Sequence, residues 1–233
     1  ITDLKVSGKI NGTDIAFIRE MAGRALNNNA KTEGKLTSLD ISDAQIVSGG
    51  GNYYTVKRGL SSFSYQTMED NVVSPYMFSG LTNLTTLKLP KGTTKIEKNA
   101  VSDCSNLKEC SIPSAVTSIA DYAFAKCSKF TSVVIPREVS SLGVGAFKSC
   151  DELSSVTFAE GNGLTVIAKE AFANNSSLKS ITLPALVKEI SGSAFKECTA
   201  LKTVNFSENL EKIGVGAFEN CIALTTLSEF PAT

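Results

Sequence analysis

One column of residues recurs along more than half of the chain at a nearly constant spacing. Six of its seven positions hold an aromatic residue, and the column consists of Phe78, Val101, Phe124, Phe147, Phe172, Phe195 and Phe218. Neighbouring positions lie 23 residues apart, except for one interval of 25 residues. Such agreement between intervals predicts that the chain is built from one structural unit that stacks on copies of itself.

Every unit places the same apolar residues around this column. The clearest copy contains Leu178, Ile181, Leu183, Pro184, Val187, Ile190, Ala194, Phe195 and Cys198. Ile181, Thr182 and Leu183 alternate inward, outward and inward, which predicts a short strand, and the proline ends that strand because it has no backbone N–H. The Ala-Phe-x-x-Cys segment predicts one helical or 3₁₀ turn, with Phe filling the space between two walls.

A period of roughly 20 to 29 residues with regularly spaced aliphatics is typical of a leucine-rich-repeat solenoid. We therefore predict an α/β solenoid, a right-handed superhelix of about ten short parallel strands with an N-terminal helix as its cap. The predicted strands carry the triplets Ile1-Leu4-Val6, Leu36-Leu39-Ile41, Leu60-Phe63-Tyr65, Leu84-Leu87-Leu89, Leu107-Cys110-Ile112, Phe130-Val133-Ile135, Leu153-Val156-Phe158, Leu178-Ile181-Leu183 and Leu201-Val204-Phe206, followed by Leu224-Leu227.

The chain divides into two parts of one continuous solenoid. Residues 1–75 hold the capping segment and irregular repeats, and residues 76–233 hold the regular repeats. In the first part, Thr13 or Asp14 is expected to cap a helix that ends near residues 27–29 and covers the first strands. The apolar side of this helix consists of Ile15, Ile18, Met21, Ala22 and Ala25.

Two further segments depart from the repeat. The glycine-rich composition of residues 48–54 predicts a flexible loop. Residues 160–163 contain the two-residue insertion that lengthens one interval to 25. At the end of the chain, residues 230–233 follow a strand without a capping element, so we expect the natural chain to continue or another molecule to cover this end.

Composition excludes several classes of function. The 233 residues include 23 basic and 23 acidic side chains and no His. The balance of charge argues against a nucleic-acid or anionic-membrane binder, and the lack of His removes the commonest general base and metal ligand. Gly49-Gly50-Gly51 lacks the context of a phosphate-binding loop. We predict no catalytic residue, cofactor, metal site or membrane span.

Five cysteines share one repeat position, at which Asn175 fills the remaining place. They are Cys104, Cys127, Cys150, Cys198 and Cys221. This column is either a disulfide or metal ladder, or a set of free buried thiols. Stacked repeats hold equivalent side chains about 4.8 Å apart, whereas a disulfide needs Cβ atoms at about 3.8 Å, so we favour free thiols.

The outward strand positions form two rows of mostly short hydroxyl residues, expected on the concave face of the solenoid. The rows are Thr86, Glu109, Ser132, Ser155, Ser180, Thr203 and Thr226, then Lys88, Ser111, Val134, Thr157, Thr182, Asn205 and Ser228. Solenoids usually bind partners on this face, which makes Ser132, Ser155, Ser180, Thr203, Thr157 and Thr182 candidate partner-binding residues. Strand propensity alone also explains Thr here, and flat strands with short side chains predict no deep pocket.

Four tyrosines lie in the sequence around the glycine-rich loop: Tyr53, Tyr54, Tyr65 and Tyr76. Tyr53 and Tyr54 are further candidates for contact with a partner, at an adhesive or sugar-contacting edge. The alternative is that these rings pack the loop onto the solenoid.

The segment 119–127, Ile-Ala-Asp-Tyr-Ala-Phe-Ala-Lys-Cys, and the segment 178–184, Leu-Lys-Ser-Ile-Thr-Leu-Pro, resemble repeats of the BspA-like leucine-rich-repeat family of bacterial surface proteins. Residues 8–14 and 36–44 are similar to segments of that family as well. The resemblance implies a protein of the bacterial surface or exterior that adheres to extracellular-matrix proteins or to other cells.

Two functions follow as hypotheses. The first is a non-enzymatic extracellular or cell-surface module that binds a protein or another cell-surface macromolecule. The second is a structural stalk or spacer that presents another domain. The chain starts at Ile1 without a signal peptide or an anchor, which we interpret as a trimmed or processed form.

Overall fold

A computed structural model describes residues 1–26 and 30–227 of the chain, and in it the repeats form two sets of parallel strands. The first set, here called the β-face, consists of β1 (Asp3–Ile10), β2 (Ser38–Ile46), β6 (Thr86–Lys88), β8 (Glu109–Ser111), β10 (Ser132–Ile135), β12 (Ser155–Phe158), β14 (Ser180–Thr182), β16 (Thr203–Asn205) and β18 (Thr226–Leu227). The second set, here called the second wall, consists of β5 (Val72–Val73), β7 (Lys95–Ile96), β9 (Ser118–Ile119), β11 (Ser141–Leu142), β13 (Val166–Ile167), β15 (Glu189–Ile190) and β17 (Lys212–Ile213). The remaining elements are helix α1 (Gly12–Met21) and the hairpin of β3 (Gly49–Arg58) and β4 (Ser61–Thr67).

The strand register follows the repeat. Ser132 pairs with Ser155, and Ser180 pairs with Thr203, so residues at the same repeat position lie side by side. The β-face consists of three hydrogen-bonded sheets, in the orders β1-β2-β6-β8, β10-β12 and β14-β16-β18. The predicted repeat solenoid with parallel strands is therefore confirmed.

The core between the two sets of strands is built from the aromatic column. The rings of Phe124, Phe147, Phe172, Phe195 and Phe218 stack in order, with neighbouring ring centroids 5.2 to 5.7 Å apart. The first four rings are fully buried, and Phe218 is half-buried. Each ring contacts the next repeat face to face, so the apolar face that one repeat cannot bury alone is covered by its neighbours.

The cysteine column lies beside these rings. All six cysteines are free and buried, as the second interpretation of the column predicts. The thiols of the column donate to the backbone carbonyl of the aromatic position one repeat earlier; Cys150 Sγ, for example, lies 3.2 Å from the oxygen of Phe124. Burial raises the thiol pKa, and that of Cys150 reaches about 12.

The N-terminal segment corrects the predicted helix. Its N-cap is Asn11, not Thr13 or Asp14, because the Asn11 side chain accepts the N–H of Thr13 at 2.9 Å. Asp14 completes a capping box by accepting the N–H of Asn11. The helix ends at Met21, and Ala25 lies beyond it. The predicted helix end at residues 27–29 lies outside the described residues.

A second correction concerns the hairpin. The triplet Leu60-Phe63-Tyr65 is not a solenoid strand, because β4 pairs antiparallel with β3, whereas β2 pairs directly with β6. The predicted flexible loop at residues 48–54 is also wrong from Gly49 onward, since this segment is part of β3. Ser228 and the uncapped end at residues 230–233 lie outside the part of the chain that the structure describes.

The insertion in the 25-residue repeat is accommodated by a buried asparagine. Asn162 Nδ2 donates to the carbonyl oxygens of Pro136 and Val139, at 2.7 and 3.3 Å, and Asn162 Oδ1 accepts the N–H of Leu164. These bonds tie the longer loop to the preceding repeat. The two extra residues therefore leave the stacking of Phe147 on Phe172 intact.

Candidate functional site

The outward hydroxyl residues lie together on the β-face. Ser132, Ser155, Ser180, Thr157 and Thr182 are exposed. The sixth candidate, Thr203, is half-buried beside Ser180. Parallel pairing places these side chains in two adjacent lines, separated by the buried aliphatic residue of each strand.

The β-face is not flat, contrary to the expectation from short side chains. Between β12 and β14 the strand pairing is interrupted, and an open cleft of about 430 Å³ lies there. Four candidate residues line this cleft, namely Ser155, Thr157, Ser180 and Thr182, and no charged side chain is among its lining residues. The cleft therefore presents hydroxyl and backbone groups to a partner.

A second cleft, of about 500 Å³, lies at the interruption between β8 and β10. Ser132 lines it together with Lys108, Glu109 and the exposed Val134. This cleft thus has two charged side chains in its lining, which the first cleft does not.

Both interruptions are next to a repeat with an aromatic residue in an aliphatic column. Phe130 precedes β10 and packs on Phe124, with ring centroids 6.0 Å apart. Phe158 ends β12 and meets Phe172 edge-on at 6.5 Å. An aromatic residue at such a position is not sufficient, however, because Phe206 follows β16 in the column of Phe158 and β16 still pairs with β18. The sequence therefore carried no signal that marks the clefts.

The charged groups of the β-face are concentrated at its N-terminal end, where they form ion pairs. Asp43 lies 2.9 Å from Lys5 and 2.8 Å from Lys91, and both lysines lower the pKa of its carboxyl group. The pKa of Asp40 lies well below its usual range, mainly because Ser42 donates two hydrogen bonds to it, with a smaller effect from Lys88. From β10 onward, the hydroxyl rows are therefore the main polar feature of the β-face.

The two tyrosine candidates are not available to a partner. Tyr53 is fully buried, and its hydroxyl donates to the carbonyl oxygen of Pro75 at 2.8 Å. Tyr54 is also buried and stacks on Tyr76, with ring centroids 5.1 Å apart. The structure therefore removes both residues from the candidate surface and agrees with the alternative that the rings pack this segment onto the solenoid.

A buried arginine that the sequence analysis did not single out holds α1 in place. Arg19 donates to the carbonyl oxygens of Tyr76, Met77 and Ser79, and its guanidinium carbon lies 4.9 Å from the ring centre of Tyr54. Burial lowers its pKa to about 10. Its position four residues after Ile15 and three before Ala22, on the apolar side of the helix, was the available signal.

Within residues 1–26 and 30–227, no group of three or more Cys, Asp or Glu side chains is arranged to hold a metal ion. Among the same residues, no helix has the length and apolar character needed to cross a membrane.

Two walls of parallel strands, an aromatic stack and a repeat of 23 residues define a leucine-rich-repeat protein. The BspA type leucine rich repeat region matches residues 51–163 and 117–232, in six copies. The chain belongs to this family.

Solved structures share the fold. A leucine rich cell surface protein from Faecalibacterium prausnitzii is 22% identical over 84% of this chain and 70% of its own, with a TM-score of 0.51. The leucine rich repeat protein of T. pallidum is 27% identical over 66% of this chain and 71% of its own, with a TM-score of 0.56. A leucine-rich repeat protein from Eubacterium ventriosum is 21% identical over 90% of this chain and has a TM-score of 0.50, and this chain spans 60% of its length. None of the curated proteins matches the chain.

Proposed function

We propose that the chain is a non-enzymatic interaction module of the bacterial surface or exterior, and that it adheres to a protein or another cell-surface macromolecule through the β-face. Membership of the BspA type family supports an interaction role. The surface location is supported by the similar Faecalibacterium prausnitzii protein, which is described as a cell surface protein. We further propose that the solenoid winds as a right-handed superhelix with the β-face on its concave side.

The observation that carries this proposal is the uncharged cleft between β12 and β14. It combines the hydroxyls of Ser155, Thr157, Ser180 and Thr182 with the interrupted strand pairing. Hydroxyl groups that both donate and accept suit a partner rich in amide or hydroxyl groups. Because the cleft is open and continuous with the rest of the β-face, it suits a segment of a large partner better than an enclosed small molecule.

The experiment is a binding screen of the full chain against extracellular-matrix proteins and glycans. The test variant replaces Ser132, Ser155, Ser180 and Thr203 with Glu. We expect it to fold and to lose binding, because four unpaired carboxylates would have to be desolvated in the interface. A matched control replaces exposed hydroxyl residues beside the second wall with Glu: Thr117, Ser140, Ser141 and Thr165.

The control variant should bind like the unmodified chain. Unchanged affinity of the folded β-face variant would show that the partner contacts another surface. A second pair of substitutions, Thr157→Glu and Thr182→Glu, localises the contact further, since both residues line the uncharged cleft. If these two substitutions are sufficient to abolish binding, the partner contacts the uncharged cleft.

A second candidate function is a rigid stalk that presents another domain. The continuous stack of aromatic rings favours it, because face-to-face contacts between successive repeats resist bending. A screen in which no matrix protein or glycan binds would support the stalk over the adhesive module.

A further inference from the structure

The hairpin of β3 and β4 presents an edge strand that the solenoid does not use. In the described part of the chain, β3 is the sole strand partner of β4. The sequence of β4 is Ser-Ser-Phe-Ser-Tyr-Gln-Thr, without a charged residue or a proline. Soluble proteins usually protect such an edge with Lys, Pro or a bulge, because a bare edge pairs with other strands.

The turn of the hairpin determines which residues of β4 point their N–H and C=O groups away from β3. Arg58 pairs with Ser61 across the two residues Gly59 and Leu60, and Gly59 has φ +61°. Such a turn closes on a hydrogen-bonded pair, after which bonded and non-bonded pairs alternate. Ser62, Ser64 and Gln66 are therefore the residues whose N–H and C=O groups point away from β3.

A side-chain contact supports this assignment. Side chains of a non-hydrogen-bonded pair approach more closely than those of a bonded pair. The hydroxyls of Thr55 and Ser64 are 3.0 Å apart, as expected if these two residues form a non-hydrogen-bonded pair. The outward direction of the Ser64 backbone thus has two independent supports.

We propose that β4 pairs antiparallel with β4 of a second copy of this chain, about a two-fold axis through Ser64. This register joins Ser64 to its own counterpart and Ser62 to Gln66, which are the outward-pointing residues. It allows about six backbone hydrogen bonds between the two copies. A shift of the register by one residue would place the outward-pointing N–H and C=O groups of one copy opposite residues whose own N–H and C=O point toward β3. These hydrogen bonds would then be lost.

The same register makes the side chains complementary. Leu60 is fully exposed and lies opposite Met68, which is 69% exposed. Phe63, 48% exposed, lies opposite Tyr65, whose ring already packs on Tyr76 at 4.8 Å. Each apolar residue meets an apolar or aromatic one, and no charge is placed opposite a like charge.

The opposite edge of the hairpin explains why pairing stops at two copies. On β3, the N–H of Thr55 donates to the carbonyl oxygen of Leu26, and the N–H of Gly51 donates to Thr13 Oγ1 at 2.8 Å. Helix α1 and the segment after it therefore cover the outer edge of β3. The product is a four-stranded antiparallel sheet closed at both ends, which is a two-fold dimer and not a filament.

The experiment measures the molar mass of the full chain by sedimentation over a concentration series. We expect a weak, concentration-dependent monomer–dimer equilibrium, because one strand edge buries less surface than a standard stable interface. Ser64→Lys places two ammonium groups opposite each other and should weaken the dimer about tenfold or more. Ser64→Thr keeps the hydroxyl and strand propensity and should leave dimerisation unchanged, as should Ser132→Lys on the β-face.

A charge-swap mixture gives the decisive result. Ser64→Lys and Ser64→Glu chains should each be mainly monomeric alone and form a heterodimer when mixed, with protection of the Ser62 and Gln66 amides from hydrogen exchange. Retained circular dichroism shows that the variants are folded. A chain that stays monomeric at all concentrations, or a dimer that neither substitution affects, overturns the proposal. Because Ser64 lies outside the β-face, failure here leaves the proposed adhesive surface intact.

Discussion

At the scale of the residue, each repeat cysteine combines two roles. Its thiol donates to a carbonyl of the preceding repeat, as Cys198 does to Phe172 at 3.1 Å, and its small apolar side chain fills the space beside the ring. Burial raises the pKa of Cys104, Cys150 and Cys198 to about 12. Since the thiolate is the reactive form, these cysteines are expected to be inert at neutral pH.

The raised thiol pKa values predict a loss of stability in alkaline solution. The unfolded thiols ionise near 9.0 and the folded ones near 12, so the folded state binds more protons between these pH values. Stability is therefore full below about pH 9 and falls above it, by up to about 1.4 kcal/mol per pH unit for each thiol. Urea unfolding over this pH range measures the slope.

The variant Cys150→Ala provides the control for that slope. It lacks one ionising thiol, so its free energy of unfolding should fall less steeply with pH than that of the unmodified chain. Equal slopes in both proteins would show that the thiols do not ionise on unfolding. Alkylation under denaturing, non-reducing conditions should modify all six cysteines, and a stoichiometric disulfide would contradict the free-thiol assignment.

Asn175 is the one non-cysteine in the column from Cys104 to Cys221. Its Oδ1 accepts the N–H of Cys150 at 2.9 Å, but its buried Nδ2 has no hydrogen-bond partner among the described residues. A thiol here could donate to the carbonyl of Phe147, as its equivalents do in other repeats. Asn175→Cys replaces the unpartnered Nδ2 with a thiol donor but removes the acceptor of the Cys150 N–H, so we expect its free energy of unfolding to stay within about 1 kcal/mol of that of the unmodified chain. Asn175→Asp places a buried carboxylate here and should destabilise the chain, and urea unfolding measures both.

Phe195 gives the test of the aromatic stack. It is fully buried between Phe172 and Phe218, at 5.6 and 5.4 Å. Phe195→Ala removes both ring contacts and leaves a cavity, so a loss of ~3–5 kcal/mol is expected. The exposed Val215→Ala in the next repeat should cost less than about 0.5 kcal/mol. A cost for Phe195→Ala as small as that would mean that the repeat register is misassigned.

At the scale of the element, the regular repeats were predictable because each position meets the same neighbours in every copy. The Leu178 copy is sufficient to place β14 and β15, since a residue 23 positions away has an equivalent environment. The hairpin was missed for the opposite reason. The pattern of Leu60, Phe63 and Tyr65 indicates a strand but does not indicate which strand it pairs with. The turn at Gly59 brings it against β3.

The candidate site was predictable only in part. The exposure of Ser155 and Ser180 follows from strand periodicity, which assigns alternate residues to opposite faces. The clefts depend on interrupted hydrogen bonding between neighbouring strands, a tertiary property that propensity does not encode. The burial of Tyr54 depends on Arg19, which is far from it in the sequence, and was therefore left open between two alternatives.

The capping box of α1 is testable at this scale. Asn11→Ala removes the bond to the N–H of Thr13, so a loss of about 1 kcal/mol is expected, within the range of roughly 0.5–2 kcal/mol for such caps. The exposed Asn52→Ala on β3 serves as the control and should change stability little. Equal unfolding midpoints of the two variants in urea would show that the cap does not stabilise the helix.

At the scale of the whole molecule, the stabilising contacts join each repeat to the next. The ring stack, the thiol bonds and ion pairs such as Lys188 with Glu211, 2.8 Å apart, all join adjacent repeats. The exposed ion pairs contribute little, so the buried contacts dominate. Because β1 and β2 share a sheet with β6, the N-terminal segment is joined to the regular repeats; the division between residues 75 and 76 stays a prediction.

The charge balance of the whole chain leads to a prediction about binding. The 23 basic and 23 acidic side chains cancel, and the lining of the cleft between β12 and β14 is uncharged. Salt screens interactions between charges but not contacts between neutral polar groups. If the partner contacts this cleft, its dissociation constant should therefore change less than about threefold between roughly 50 and 500 mM NaCl in a calorimetric titration.

A tenfold or larger weakening by salt would instead assign the contact to the charged N-terminal end of the β-face. There Lys91 pairs with Asp43, and Lys88 pairs with Asp40 at 3.2 Å. A charged partner would compete with these ion pairs for the lysine and aspartate side chains, and salt weakens the ion pairs as well. The double variant Lys88→Gln and Lys91→Gln separates the two cases. It should leave binding at the uncharged cleft unchanged, whereas it should remove the salt dependence of a partner bound at the charged end.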